Sequence, residues 1–205
     1  MNKQNNSPWP NYAIAILAVF ILLTVVAMWL LMAVYVRRDD SQIVRRSAWF
    51  LPVARIGSQY VTYGKYLTSR DAIKTVLKSD AVKQAGQAQP MTPALEQNAY
   101  NRLVREAETQ DLASQRKVAV SDKEVMDAYN QFLQQASSTV PDVAGYLQKT
   151  FHWSEQQYRD MVIRPQLLED KVTATFSSST DQSTQFEKWL TDRLAKPDAQ
   201  EYLKF

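Results

Sequence analysis

The chain contains no cysteine, which excludes disulfides, thiolate nucleophiles and thiolate metal sites. It leaves the compartment open, because an exported domain does not require cysteine. Histidine occurs once, as His152 in the run FHWSE, which suits an aromatic turn ahead of a helix better than acid–base or metal chemistry. Only four glycines are present, scattered at Gly57, Gly64, Gly86 and Gly145, so there is no glycine-rich phosphate loop. No serine sits in a nucleophile elbow. Asp39–Asp40 and Glu169–Asp170 are adjacent in sequence rather than facing one another, and read as solvated charges. The inventory argues against an enzyme: no catalytic residue, cofactor or metal is expected.

What the chain does have is one long run without charge, proline or glycine. Tyr12–Val36 spans 25 residues, enough at about 1.5 Å per residue to cross a hydrocarbon core of roughly 30 Å. A cleaved signal peptide fits less well, because the run exceeds the usual hydrophobic core and ends in Val34-Tyr35-Val36 rather than small residues. A retained anchor is the expectation, so the lipid bilayer is one expected partner. Lys3 precedes the run, whereas Arg37, Arg38, Arg45, Arg46 and Arg55 follow it. Counted alone, that bias places the carboxyl side in the cytoplasm. The net charge of +3 comes largely from these juxtamembrane arginines, which suit anionic headgroups. Nucleic acid is not an expected partner, because no basic run carries interleaved aromatics.

The remainder is long enough for one domain with a modest core. VARIGSQYVTYGKYL opens it, with short strands around Val53–Ile56 and Tyr60–Val61, and a turn at Gly57-Ser58. Two such strands alone are marginal and need a partner. Thr62 is placed to cap a helix, and Pro93 to occupy the first turn of another. In that second helix Leu95, Ala99, Leu103, Ala107 and Leu112 form an apolar stripe. Ser121 with Glu124, and Ser154 with Gln157, each read as a capping box. Pro165 should kink or divide the helix that the second box opens. A last amphipathic helix carries Phe186, Trp189, Leu190 and Leu194, and AQEYLKF can supply an edge strand.

The ordered run from Ala94 to Gln135 resembles the amino-terminal chaperone domain of the SurA, PrsA and PpiD-type periplasmic or extracellular foldases. Leu103, Val104, Ala107 and Leu112 fit the first helix of that pattern. Val118, Val120, Ser121, Asp122, Glu124 and Val125 fit the next. FHWSEQQYRDMVIRPQLLEDKV follows as the family expects, IGSQYVTYGKYL resembles its opening strand phrase, and FEKWLTDRLAKPDAQEYLKF its closing helix and strand. The resemblance also predicts where an isomerase domain of parvulin type would be inserted, at Ser177–Ser183. Those seven residues are too few to hold one. Prolyl isomerase activity is accordingly not expected.

The fold expected is mainly α, with a single transmembrane helix followed by a SurA N-terminal-like helical domain and a minor pairing of short β-strands. The expected organisation is a flexible tail over 1–11, a transmembrane helix over 12–36, a juxtamembrane segment over 37–52 and the chaperone-like domain over 53–205. The resemblance implies an extracytoplasmic domain on a bacterial membrane, against the arginine count. It also implies non-catalytic holding of unfolded or newly exported polypeptides. Tyr100, Tyr129, Phe132, Tyr146, Phe151, Trp153, Tyr158, Phe186 and Trp189 are many large aromatics for so small a domain, and most should form its core. Tyr129, Phe132, Phe151, Trp153 and Tyr158 are the expected polypeptide-binding residues. The alternatives are an envelope interaction module with one fixed protein partner, or an isomerase-family member without retained activity.

Overall fold

The structure is a computed structural model that describes residues 9–84, 86, 89–136, 140–176 and 181–205. It divides into two units, Met1–Trp49 and Phe50–Phe205.

The first unit consists of α1 (Trp9–Tyr35) and the short α2 (Gln42–Ser47). Within α1, Ile16–Tyr35 has a mean hydropathy of 2.8 and is long and apolar enough to cross a membrane. Its side chains are almost wholly exposed, unlike those of a helix serving as a soluble core. Arg38 takes a left-handed conformation where the chain leaves α1. Ser41 then caps α2 by accepting from Val44 N, while Asp39 Oδ1 accepts from Ser41 N at 2.8 Å. Arg45 Nε donates to the Asp40 carbonyl at 2.7 Å.

In the second unit β1 (Pro52–Ile56) and β2 (Gln59–Thr62) form the expected antiparallel hairpin. Alternation is visible in β1, which buries Val53, Ala54 and Ile56 and exposes Arg55, with a register shift between Pro52 and Ala54. The hairpin is not left on its own. β3 (Ala199–Glu201) pairs antiparallel with the other edge of β1, giving the order β2–β1–β3. The strand occupies the first three residues of AQEYLKF, with Ile56 opposite Ala199 and Ala54 opposite Glu201. Beyond it, Tyr202 N donates to Val53 O at 2.9 Å and Leu203 is buried. The terminal Phe205 ring packs 5.3 Å from Tyr100 and 6.1 Å from Tyr66. Tyr63 and Tyr66 are themselves fully buried, so two tyrosines of the opening stretch are core residues; Tyr60 faces outward.

The helices start where their side chains can hold free backbone N–H groups. Thr62 accepts from Lys65 N to open α3 (Tyr63–Lys78), and Thr92 from Leu95 N to open α5 (Pro93–Arg116) with Pro93 in its first turn. A five-residue α4 (Asp80–Gln84) lies between them. Both capping boxes form. Ser121 N donates to Glu124 Oε2 and Glu124 N to Ser121 Oγ, opening α6 (Asp122–Ala136). Ser154 and Gln157 do the same for α8 (Glu155–Tyr158). Between them lies α7 (Val143–Phe151), capped by Asp142 and closed by His152 in the left-handed conformation.

Pro165 divides its helix as expected. A π-helical segment, Arg159–Ile163, follows α8 and leads into α9 (Arg164–Thr173). Proline has no N–H to offer the carbonyl four residues back, Met161 O. That carbonyl instead accepts from Arg102 Nη2 of α5 at 3.0 Å. The last helix, α10 (Gln182–Leu194), contributes Phe186 and Leu190 to a cluster with Leu112, Ala113 and Val172. Central to the unit is α5, which packs against α3, α9, α10 and the sheet. Of the segment expected to replace an isomerase domain, residues 177–180 lie outside the described residues, as do 85, 87 and 88 of the polar stretch before α5.

Candidate functional site

The five sequence-predicted binding residues fall into two separate aromatic clusters. Tyr129, Phe132 and Tyr158 form the first, where α6 meets α8 and the π-helical segment. The Phe132 and Tyr158 rings lie 5.0 Å apart and 32° from parallel, a tilted contact within the distance at which ring pairs attract. Tyr129 lies behind them, only 2 % exposed, at 6.1 Å from Phe132 and 6.3 Å from Tyr158. Burial raises the pKa of both the Tyr129 and Tyr158 hydroxyls, so both stay neutral. Phe151 and Trp153 make the second cluster, stacked at 5.4 Å, with Tyr146 edge-on to Phe151 at 6.2 Å. Trp153 is buried; Phe151 is half-buried and Tyr146 exposed.

The first cluster borders a groove. Phe132 and Tyr158 line a depression of about 260 Å³ with Val162, Ile163 and Leu167 along its apolar side. Gln131 and Gln135 of α6 and Gln166 and Asp170 of α9 add polar groups to its lining. Each glutamine amide carries both donors and acceptors, the set that an extended peptide backbone requires. The wall is built by the local chemistry already described: the capping boxes start α6 and α8, and the π-helical segment sets Val162 and Ile163 toward α6. Helix α6 is tied across to α9 by Lys171 Nζ, 2.6 Å from Glu124 Oε1, and to Arg164 through Asp122 at 2.7 Å. The Lys171 bond, with those from Ser121, holds the Glu124 pKa down to about 2.

A buried charge system between α5 and α10 escaped sequence reasoning. Arg193 of α10 is 2 % exposed and pairs with Asp111 of α5, also buried. Its other two nitrogens donate to the Asp198 carboxylate, 2.6 and 2.9 Å away. Gly57, in a left-handed turn between β1 and β2, lies against this pair; a Cβ there would overlap Asp111 Oδ1. Gly57 N also donates to Asp198 O. Glu108, one turn before, is buried with one carboxylate oxygen lacking a hydrogen-bond partner. Burial raises its pKa to about 7, aided by nearby Glu201 and opposed by Arg105 and Arg193. The available signal was position: Glu108 and Asp111 interrupt the apolar face that Val104, Ala107 and Leu112 define. Glu108, Asp111 and Arg193 are buried and Asp198 closes the set from the surface, so it braces the fold. Among the described residues no group of histidine, aspartate and glutamate is arranged to hold a metal.

Residues 3–174 match the family described as SurA-like N-terminal domain. No match was found among curated proteins, and none among solved structures.

Proposed function

The chain belongs to the SurA-like N-terminal domain family, and from that footing we propose that it is a membrane-anchored holder of unfolded or newly exported polypeptides. Such a domain without a parvulin module is non-catalytic, so the work assigned to it is binding. The observation that carries the reading is the groove beside α6. A half-buried Phe132–Tyr158 pair lines it together with aliphatic side chains and three glutamines. Aromatic and aliphatic contacts tolerate many sequences, while amides serve the backbone common to all of them.

In this reading Phe132 and Tyr158 touch the client, with Tyr129 supporting them from beneath. Phe151 forms a second apolar contact, with Trp153 packed beneath it. Helix α1 holds the domain at the bilayer, with residues 50–205 on the extracytoplasmic side. That placement rests on the family and overrides the arginine count. An isomerase module is assigned no part.

A photoreactive phenylalanine analogue at position 132, in the full chain in cells, tests the groove. Light-dependent capture of many nascent exported proteins is the expected result, with little capture from position 123 on the exposed face of α6. Capture of a single native envelope protein would support the interaction-module alternative instead.

A further inference from the structure

A second cleft in the Phe50–Phe205 unit has a chemistry unlike the aromatic groove. It lies between the end of α3 and α7, encloses about 560 Å³ and opens to solvent. Lys78 and Lys149 reach it from the two helices, and His152 from the left-handed cap that ends α7. Thr75, Ser79 and Thr150 add hydroxyls, and Tyr146 an exposed ring. Among the described residues no carboxylate lines the cleft, and neither lysine has an ion-pair partner.

Two cations on facing helices, with no counter-charge among the described lining residues, form a local excess that an anion from outside can neutralise. Ordinary helix-end lysines also offset the partial negative charge of the last carbonyls, as Lys78 and Lys149 each do in the last turn of their helices. That role does not require the two to converge on one cleft. Here they do, with an imidazole and three hydroxyls around them.

We infer that the α3–α7 cleft binds carboxylate-bearing, extended polypeptide, with Lys78 and Lys149 pairing to acidic side chains and Tyr146 contacting the intervening chain. The lining favours peptide over lipid: it includes no aliphatic side chain to seat an acyl chain. Hydroxyl groups instead suit a peptide backbone. The anion's carrier rests on the polypeptide-holding reading; the cation cleft itself does not. The domain would then hold acidic client segments in preference to neutral ones.

The test uses the full chain in nanodiscs of zwitterionic lipid. Anisotropy is measured with a fluorescein-labelled peptide of alternating glutamate and serine, and with its glutamine counterpart. At low ionic strength the glutamate peptide should bind about tenfold more tightly, a preference that rising salt erodes. Lys78→Gln with Lys149→Gln should bring the two peptides within about twofold of each other. Both lysines are exposed, so the helical circular dichroism should be unchanged. Lys78→Glu with Lys149→Glu should reverse the order, favouring a lysine–serine peptide.

Equal affinity of the unaltered chain for both peptides, or a preference that survives in the double glutamine variant, would overturn the inference. So would lysine-dependent binding of phosphatidylglycerol vesicles without any glutamate preference, which would make the cleft a headgroup site. Client holding is read separately, from aggregation of neutral clients. Its loss beside an intact glutamate preference would remove the holding function and leave the cleft.

Discussion

Arg193 Nε donates to Asp111 Oδ2 at 3.0 Å in a buried pair that joins residues 82 positions apart in sequence. Asp198 accepts from the remaining edge of the same guanidinium, and the Gly57 turn closes over the Asp111 side. One side chain therefore fastens α10, α5, the β1–β2 turn and the approach to β3. The opening hairpin and the chain end meet because this pair fixes where β3 starts.

Asp111→Ala leaves that guanidinium buried beside only one carboxylate. It should cost about 3–5 kcal/mol, the range for breaking a buried pair by removing one partner. Urea unfolding of the full chain in nanodiscs, followed by tryptophan fluorescence, measures it. Lys123→Ala breaks the exposed pair with Asp127 and should cost less than about 1 kcal/mol. Similar losses in the two variants would contradict the fastening role.

Glu108 makes stability depend on pH. Its pKa is raised from 4.5 to about 7 in the folded chain, chiefly by burial. The folded state thus keeps a proton that the unfolded state releases between those values. The stabilising contribution is fully present below pH 4.5 and is lost as pH rises through about 7. The change is on the order of 3 kcal/mol. Glu108→Gln cannot release that proton, so the unaltered chain should lose stability relative to this variant as pH rises from 4.5 to 7.5. Parallel stability curves for the two chains would show that Glu108 titrates normally.

Much of the fold was legible because its signals are local. Thr62, Pro93, Ser121 with Glu124, and Ser154 with Gln157 act within one turn, and all four helix starts lie where those residues place them. Pro165 likewise marks its own disturbance. The β1–β3 register was not legible: it depends on Arg193, Asp111 and Asp198 meeting around Gly57, none of them neighbours in the hairpin sequence. Glu108 and Asp111 read as ordinary polar residues on a long helix until β3 and α10 cover them. The aromatic set was visible as composition, yet its partition into two clusters follows from where α6, α7 and α8 cross.

Topology has its own test. Ser183→Cys introduces a lone exposed thiol near the start of α10 in a chain with no other cysteine. A membrane-impermeant maleimide should label it in cells whose outer barrier alone has been opened. Labelling only after the membrane holding α1 is breached would place the domain in the cytoplasm, as the arginine count does.

The central claim is that the groove at Phe132 and Tyr158 holds unfolded chains. Light scattering by several unrelated unfolded clients, mixed with the full chain in nanodiscs, measures this directly. The unaltered chain should suppress aggregation of all of them at near-equal molar ratio. Phe132→Ala with Tyr158→Ala should lose most of that effect while keeping its helical circular dichroism, since both rings are only half-buried. Undiminished suppression by that folded variant, or none by the unaltered chain, would contradict the account.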